Sequence, residues 1–236
     1  MTSEKSGKMH YAWLIFIGCC FVNAGSMAAS ISIVGVYMLP VSQSIGVGPG
    51  DWMLWMTICS IVSAIATSFW GQAIQSRNIN VVTSLSAILL ALAVFMFSFG
   101  NNVMWFYIWG AVIGLAVPCI ATLTVPTLLG NWFGKKQRGR VLGIAAAFTG
   151  VGTFCWAPLF TMILQNFGWS TAYQINAALI CVFLLPWTLF VFKFKPSDKG
   201  LEPYGFDAEL ASQEADAMKL GASRATALKS APFWIM

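Results

Sequence analysis

The residues of this chain best suited to chemistry are neutral hydrogen-bonding side chains set inside long apolar stretches. Asn23, Ser26 and Ser30 stand at i, i+3 and i+7, which is one face of an α-helix. Thr149, Thr153 and Trp156 stand at i, i+4 and i+7, and Thr122 lies between Pro118 and Pro126. Hydroxyl and amide groups in such places either line a water-filled cavity and hydrogen-bond a solute, or tie neighbouring helices together for about 1 kcal/mol each. Trp156 has the same two readings, stacking on a solute or packing in the core. None of these groups is an acid, a base or an activated nucleophile.

Catalysis at membrane depth needs a Ser beside a His, paired carboxylates or a metal cluster. The apolar stretches contain none of these, and the single His, His10, stands ahead of the first. The chain is therefore expected not to be an enzyme and to use no metal and no cofactor. All 6 cysteines, Cys19, Cys20, Cys59, Cys119, Cys155 and Cys181, fall inside apolar stretches, where a free thiol behaves as a small apolar side chain. No CxxC pair or disulfide framework is present in the pattern.

The elements that must position these groups are six apolar stretches, at 13–39, 52–74, 81–99, 104–132, 141–164 and 172–194. Each is long enough to cross a hydrocarbon core of about 30 Å at a rise of 1.5 Å per residue. With 58% hydrophobic and 9% charged residues, the composition excludes an ordinary soluble domain, which carries roughly 25% charged residues. The fold class expected is an all-α membrane protein with six transmembrane helices. All 13 Lys and Arg residues fall before the first stretch, from Lys193 at the end of the last one onward, or in alternate connections: Arg77, and the group Lys135, Lys136, Arg138 and Arg140. The other connections, at 40–51, 100–103 and 165–171, hold one charge between them, Asp51. Basic residues stay on the cytoplasmic side, so both ends are expected there, in a cell membrane. The net charge of +5 is thereby assigned to lipid headgroups and not to nucleic acid. Lys5 and Lys8 ahead of an apolar run resemble the start of a signal peptide, yet the run continues to Leu39, beyond the roughly 7–15 residues of a signal core.

Turn residues divide the chain. Pro40, Gly46, Gly48, Pro49 and Gly50 should break the first connection, and Gly100, Asn101 and Asn102 the second outer one. The organisation expected is a cytoplasmic tail at 1–11, a six-helix bundle at 12–195, a cytoplasmic linker at 196–229 with a surface helix within 206–220, and a helix start at 230–236. That last piece has Ser230 as N-cap and Pro232 in the first turn, and a helix start with nothing after it suggests the first half of a larger protein.

The sharpest motif is Asn131, Trp132, Phe133, Gly134, Lys135, Lys136, Gln137, Arg138, Gly139, followed by Gly143, Gly150 and Gly152. Aromatic anchors, headgroup-binding cations and close helix packing at the glycines account for it physically. It also resembles the major facilitator superfamily, particularly oxalate/formate antiporter-like and related organic-anion carriers. Gly168, Trp169, Ser170, Thr171, Ala172, Tyr173 is similar to the superfamily's Gly-Trp-Arg-x-Ala-aromatic start of helix six, with Ser170 in place of Arg, and 199–205 is similar to the segment that follows it. The superfamily's loop between helices two and three keeps Gly71 and Arg77 here, but Gln75 stands at its Asp position, Ser76 at its first basic position and Asn78 at its second Gly. The charge latch of that loop is not carried over.

The resemblance implies the N-terminal half of a twelve-helix secondary carrier that moves a small solute, most simply a small organic anion, by alternating access. Its partners would be the solute, the bilayer and a C-terminal six-helix half. It implies that helices one and four face the central cavity, and that Thr122 and Thr149 occupy positions where such carriers have cavity aromatics, which makes a wider pocket. The reading to set against it is a self-sufficient six-span protein, channel-like or non-transporting; a channel would need charged rings or a carbonyl filter.

Overall fold

The computed structural model describes residues 10–76 and 78–205. Arg77, the N-terminal tail to residue 9, the linker helix at 206–220 and the helix start at 230–236 lie outside the described residues. Among the described residues, five helices are long and apolar enough to cross a membrane: Tyr11–Ile45, Pro49–Ile74, Ile79–Phe97, Val103–Trp132 and Lys135–Val191.

The first of these is composite. It runs as α1 (Tyr11–Val22), a π-helical segment (Asn23–Ser32) and α2 (Val34–Ile45). Pro40, expected to end it, lies inside α2. A proline removes one backbone donor, and here the helix is held on both sides of it by Tyr37 and Val41, 1% and 0% exposed. The turn comes instead at Gly46, whose φ of 71° is the left-handed conformation that glycine adopts without strain. After it run α3 (Pro49–Ser76) and α4 (Ile79–Phe97). The next apolar helix is again composite: α5 (Val103–Val117), a π-helical segment (Pro118–Leu123) and α6 (Thr124–Trp132).

The longest, α7 (Lys135–Pro186), carries one non-helical residue, Gly168, with φ 78° and ψ 168°. The connection expected at 165–171 is thus a single-residue break, and the chain is helical up to it and directly after it. Ser170 Oγ, just past the break, donates to Ser98 O at 2.8 Å and so ties the second arm of α7 to the end of α4. A short π-helical turn (Trp187–Val191) ends that arm.

The composite helix at 103–132 is central: 67% of its most apolar window is buried, against 22% for Pro49–Ile74. Gly110 and Gly114 let α5 meet α3, since a Cβ at Gly114 would run into the Cys59 backbone and one at Gly110 would meet Trp55. Gly152 does the same for α7 against Ala24. Gly143 and Gly150, expected to serve close packing as well, have nothing within 4 Å of a Cβ and face outward. Where Pro118 removes an N–H, the carbonyl left without its donor is that of Gly114, and Ser63 Oγ donates to it at 2.9 Å. The outer surface carries Ile61, Ile65 and Phe69 of α3, Val81 and Leu85 of α4, and Phe154 and Met162 of α7. Such a surface is at home only in an apolar solvent.

Candidate functional site

Three of the seven polar or aromatic residues singled out in the spans converge. Asn23 from the first π-helical segment, Thr122 from the second, and Thr149 from the first arm of α7 line one cavity of about 380 Å³, with Met27, Val125 and Leu142 as apolar walls. Thr122 and Pro126 are exposed, so the cavity is a cleft open on one side. Its volume falls in the range of small-molecule sites, roughly 300–1,000 Å³. Among the described residues, no ionisable side chain lines it. Asn23 is only 7% exposed, and its Nδ2 donates to Ala145 O at 2.8 Å, which fixes the amide against α7.

Local structure explains how Thr122 reaches the cleft. Gly110, Gly114, Pro118, Thr122, Pro126 and Gly130 recur every fourth residue, and a step of four drifts by about 40° on a 3.6-residue helix. The stripe starts against α3 at Gly110 and Gly114 and ends in the cleft at Thr122 and Pro126. Thr124, two residues on, is buried and donates its Oγ1 to Cys119 O within the turn.

The remaining four do not join the cleft. Ser26 is fully buried and donates to Val22 O at 2.6 Å. Ser30 lines a separate, enclosed cavity. The i, i+3, i+7 alignment of Asn23, Ser26 and Ser30 assumed α-helical winding, whereas the segment is π-helical, and i→i+5 bonding widens each turn enough to swing Ser30 away from Asn23. Thr153 Oγ1 donates to Thr149 O at 2.8 Å, one turn behind. Trp156 is a packing residue in this structure: its Nε1 donates to Ala24 O at 2.7 Å, and its ring meets Phe183 edge-on at 5.2 Å.

At the basic end of the bundle, Arg138 Nη2 donates to Gly130 O at 2.8 Å, near the C-terminus of α6, where a cation complements the exposed carbonyls. Gly139 beside it is exposed and Gly71 is half-buried, and neither has anything within 4 Å of a Cβ. The strand-like pairing of Phe133 with Tyr204 closes the segment at 192–205 over this motif, through Gly134 N to Tyr204 O and Tyr204 N to Trp132 O, both 2.9 Å. A second cavity of about 440 Å³ lies there, lined by Trp13, Phe16, Gln137, Arg140 and Tyr204 among others. Sequence reasoning assigned Arg140 only to the charge pattern. The signal that would have found the cavity is aromatic residues near the two ends of the described sequence, Trp13 and Tyr204, together with that basic run.

Residues 16–236 match the Major Facilitator Superfamily, and the chain belongs to it. It is 33% identical over 132 residues to the putative glycerol-3-phosphate transporter 3 of Arabidopsis thaliana, covering 55% of this chain and 24% of that protein. It is 27% identical over 180 residues to mouse monocarboxylate transporter 9, covering 76% and 35%. A purine ribonucleoside efflux pump of Escherichia coli is 24% identical over 148 residues, covering 62% and 37%. Among solved structures, a bacterial homologue of the human lysosomal transporter Spinster, inward-facing and unoccupied, has the same fold, with a TM-score of 0.67 at 12% identity over 86% of this chain and 47% of that one. The chain thus spans between about a quarter and a half of the length of these relatives. It is a multi-pass membrane protein of a transporter family.

Proposed function

We propose that this chain forms one six-span half of a secondary carrier for a small organic anion, with both ends cytoplasmic, and that the cleft of Asn23, Thr122 and Thr149 is its share of the solute site. In this reading Lys135–Val191 crosses the membrane twice, reversing at Gly168. The observation that carries the proposal is convergence: three neutral hydrogen-bonding side chains, from three separate parts of the sequence, meet at one cleft between otherwise apolar walls. With Nδ2 held by Ala145, Asn23 offers its carbonyl oxygen, and the two threonines offer hydroxyls that donate or accept. The cleft is one wall of the site, and a second six-helix body supplies the other, rocking against this one around the bound solute. The relatives' greater length supports that second body. Glycerol 3-phosphate and monocarboxylates, named for two relatives, are small organic anions, which supports the substrate class. Since none of the described residues that line the cleft is a cation, the countercharge for an anion comes in this reading from the facing half.

The test is uptake of labelled oxalate, formate, lactate and glycerol 3-phosphate by the complete carrier with this sequence as its first half. Thr122→Val and Thr149→Val keep the volume and remove one hydroxyl each. Loss of one hydrogen bond costs about 0.5–1.5 kcal/mol, so KM should rise roughly two- to twelve-fold with membrane expression unchanged. Thr161→Val, at an exposed site outside the cleft, is the control and should be silent. If both cleft variants transport like the parent, the cleft is not the solute site; if none of the four anions is carried, the substrate class is wrong.

A further inference from the structure

The cavity that Ser30 lines is small, and several buried polar groups gather around it. It lies between the first π-helical segment, α2, α3, α4, α5 and the second arm of α7, and its volume is about 10 Å³. Five side-chain polar atoms on its lining residues lack a fully formed hydrogen bond, namely Ser30 Oγ, Tyr37 Oη, Trp55 Nε1, Tyr173 Oη and Asn176 Oδ1, with Tyr37 and Asn176 close enough to interact with each other. Their residues are 8%, 1%, 1%, 4% and 1% exposed. Asn176 is oriented by chemistry, since its Nδ2 donates to Ala29 O at 2.8 Å and Oδ1 is the edge left over. The walls are rigid: Tyr37 and Tyr173 stack at 4.2 Å, and Trp55 meets Phe97 edge-on at 5.1 Å.

Polar groups buried at this depth are paired almost without exception. Several unpaired groups gathered around one hole indicate a shared ligand. We propose that this cavity is a binding site for a single structural water, which joins the first π-helical segment and α2 to α3 and the second arm of α7. The room matches, because one water needs about 10–15 Å³ of such volume and two to four polar partners. The chemistry matches as well. Trp55 N–H can only donate and Asn176 Oδ1 can only accept, while the three hydroxyls do either, so one water, which makes up to four hydrogen bonds, can bridge up to four of the five, with Tyr37 and Asn176 also interacting directly. A bare cation is disfavoured, because no carboxylate lines the cavity and an indole N–H turns its positive end to the occupant. The site is separate from the open cleft, and its existence does not depend on what the cleft carries.

Radiolytic footprinting tests this directly, because hydroxyl radicals formed from a bound water label the side chains around it even where bulk solvent does not reach. In the 236-residue chain in detergent, Trp55 should be labelled and Trp132 should not, although both are buried, at 1% and 0% exposed. Ser30→Val, which fills the cavity, should lower Trp55 labelling to the level of Trp132. Tyr37→Phe, which keeps the ring, should lower it in part. Equal labelling of Trp55 and Trp132 in the parent chain overturns the proposal, whatever the variants do. Thermal unfolding in sodium chloride against choline chloride should give the same midpoint; a rise specific to sodium identifies the occupant as that cation and overturns the assignment to water.

Discussion

Replacing Gly114 with Ala tests the packing that holds the central helix in place, and Gly143→Ala is the matched comparison. At Gly114 the new Cβ would lie 2.9 Å from Cys59 Cα and 3.0 Å from its carbonyl carbon, and closer still to its oxygen. These are backbone atoms of α3, so no rotamer change relieves the overlap and the two helices must separate. Separation also stretches the 2.9 Å bond from Ser63 Oγ to Gly114 O, which occupies the carbonyl released by Pro118. Overpacking of this kind costs about 1–3 kcal/mol, and backbone contact places it near the top of that range. The helix-propensity gain of Ala over Gly returns at most about 1 kcal/mol, which leaves a net loss of about 2 kcal/mol. At Gly143 nothing lies within 4 Å, so only the propensity gain of about 0.5–1 kcal/mol remains. The same substitution should therefore have opposite signs at the two sites. Thermal unfolding of the purified chain in one detergent, followed by tryptophan fluorescence, measures both. If Gly114→Ala unfolds at or above the parent's midpoint, or Gly143→Ala falls as far as Gly114→Ala, the close approach of α3 and α5 is not what positions Thr122.

Two further outcomes are expected. In a cysteine-free background, needed because Cys155 is exposed, a Cys at Asn101 should react with an impermeant thiol reagent added to intact cells and one at Gly139 should not; the reverse pattern would refute the cytoplasmic placement of the basic loops. Trp156→Phe keeps the ring against Phe183 but loses the 2.7 Å bond to Ala24 O, so stability should drop by about 0.5–1.5 kcal/mol with KM unchanged, whereas a raised KM at unchanged stability would make Trp156 a solute contact.

Local composition alone was enough for the class of protein, the apolar lengths, the basic loops and the candidate hydroxyls, because crossing a bilayer demands long uncharged helices and little else. The winding of the stripe was legible from Gly110 to Pro118, since it depends on α-helical geometry applied along one segment, and from Pro118 the π-helical turn changes it. What escaped that reading is where the winding itself changes. Pro40 is carried inside a helix by buried neighbours, the break at Gly168 takes one residue where seven were assigned, and π-helical turns at Asn23–Ser32 and Pro118–Leu123 rotate everything beyond them. Those turns are sustained from across the bundle: Trp156 and Asn176 donate to carbonyls of the first, and Ser63 to the carbonyl just ahead of the second. Residues over a hundred positions apart thus decide that Asn23 faces Thr122 and Thr149 while Ser30 turns to Tyr37 and Asn176. A helix's period belongs to its own sequence, but a departure from that period is stable only when a neighbouring helix supplies the missing donor, and which neighbour does so is settled by packing.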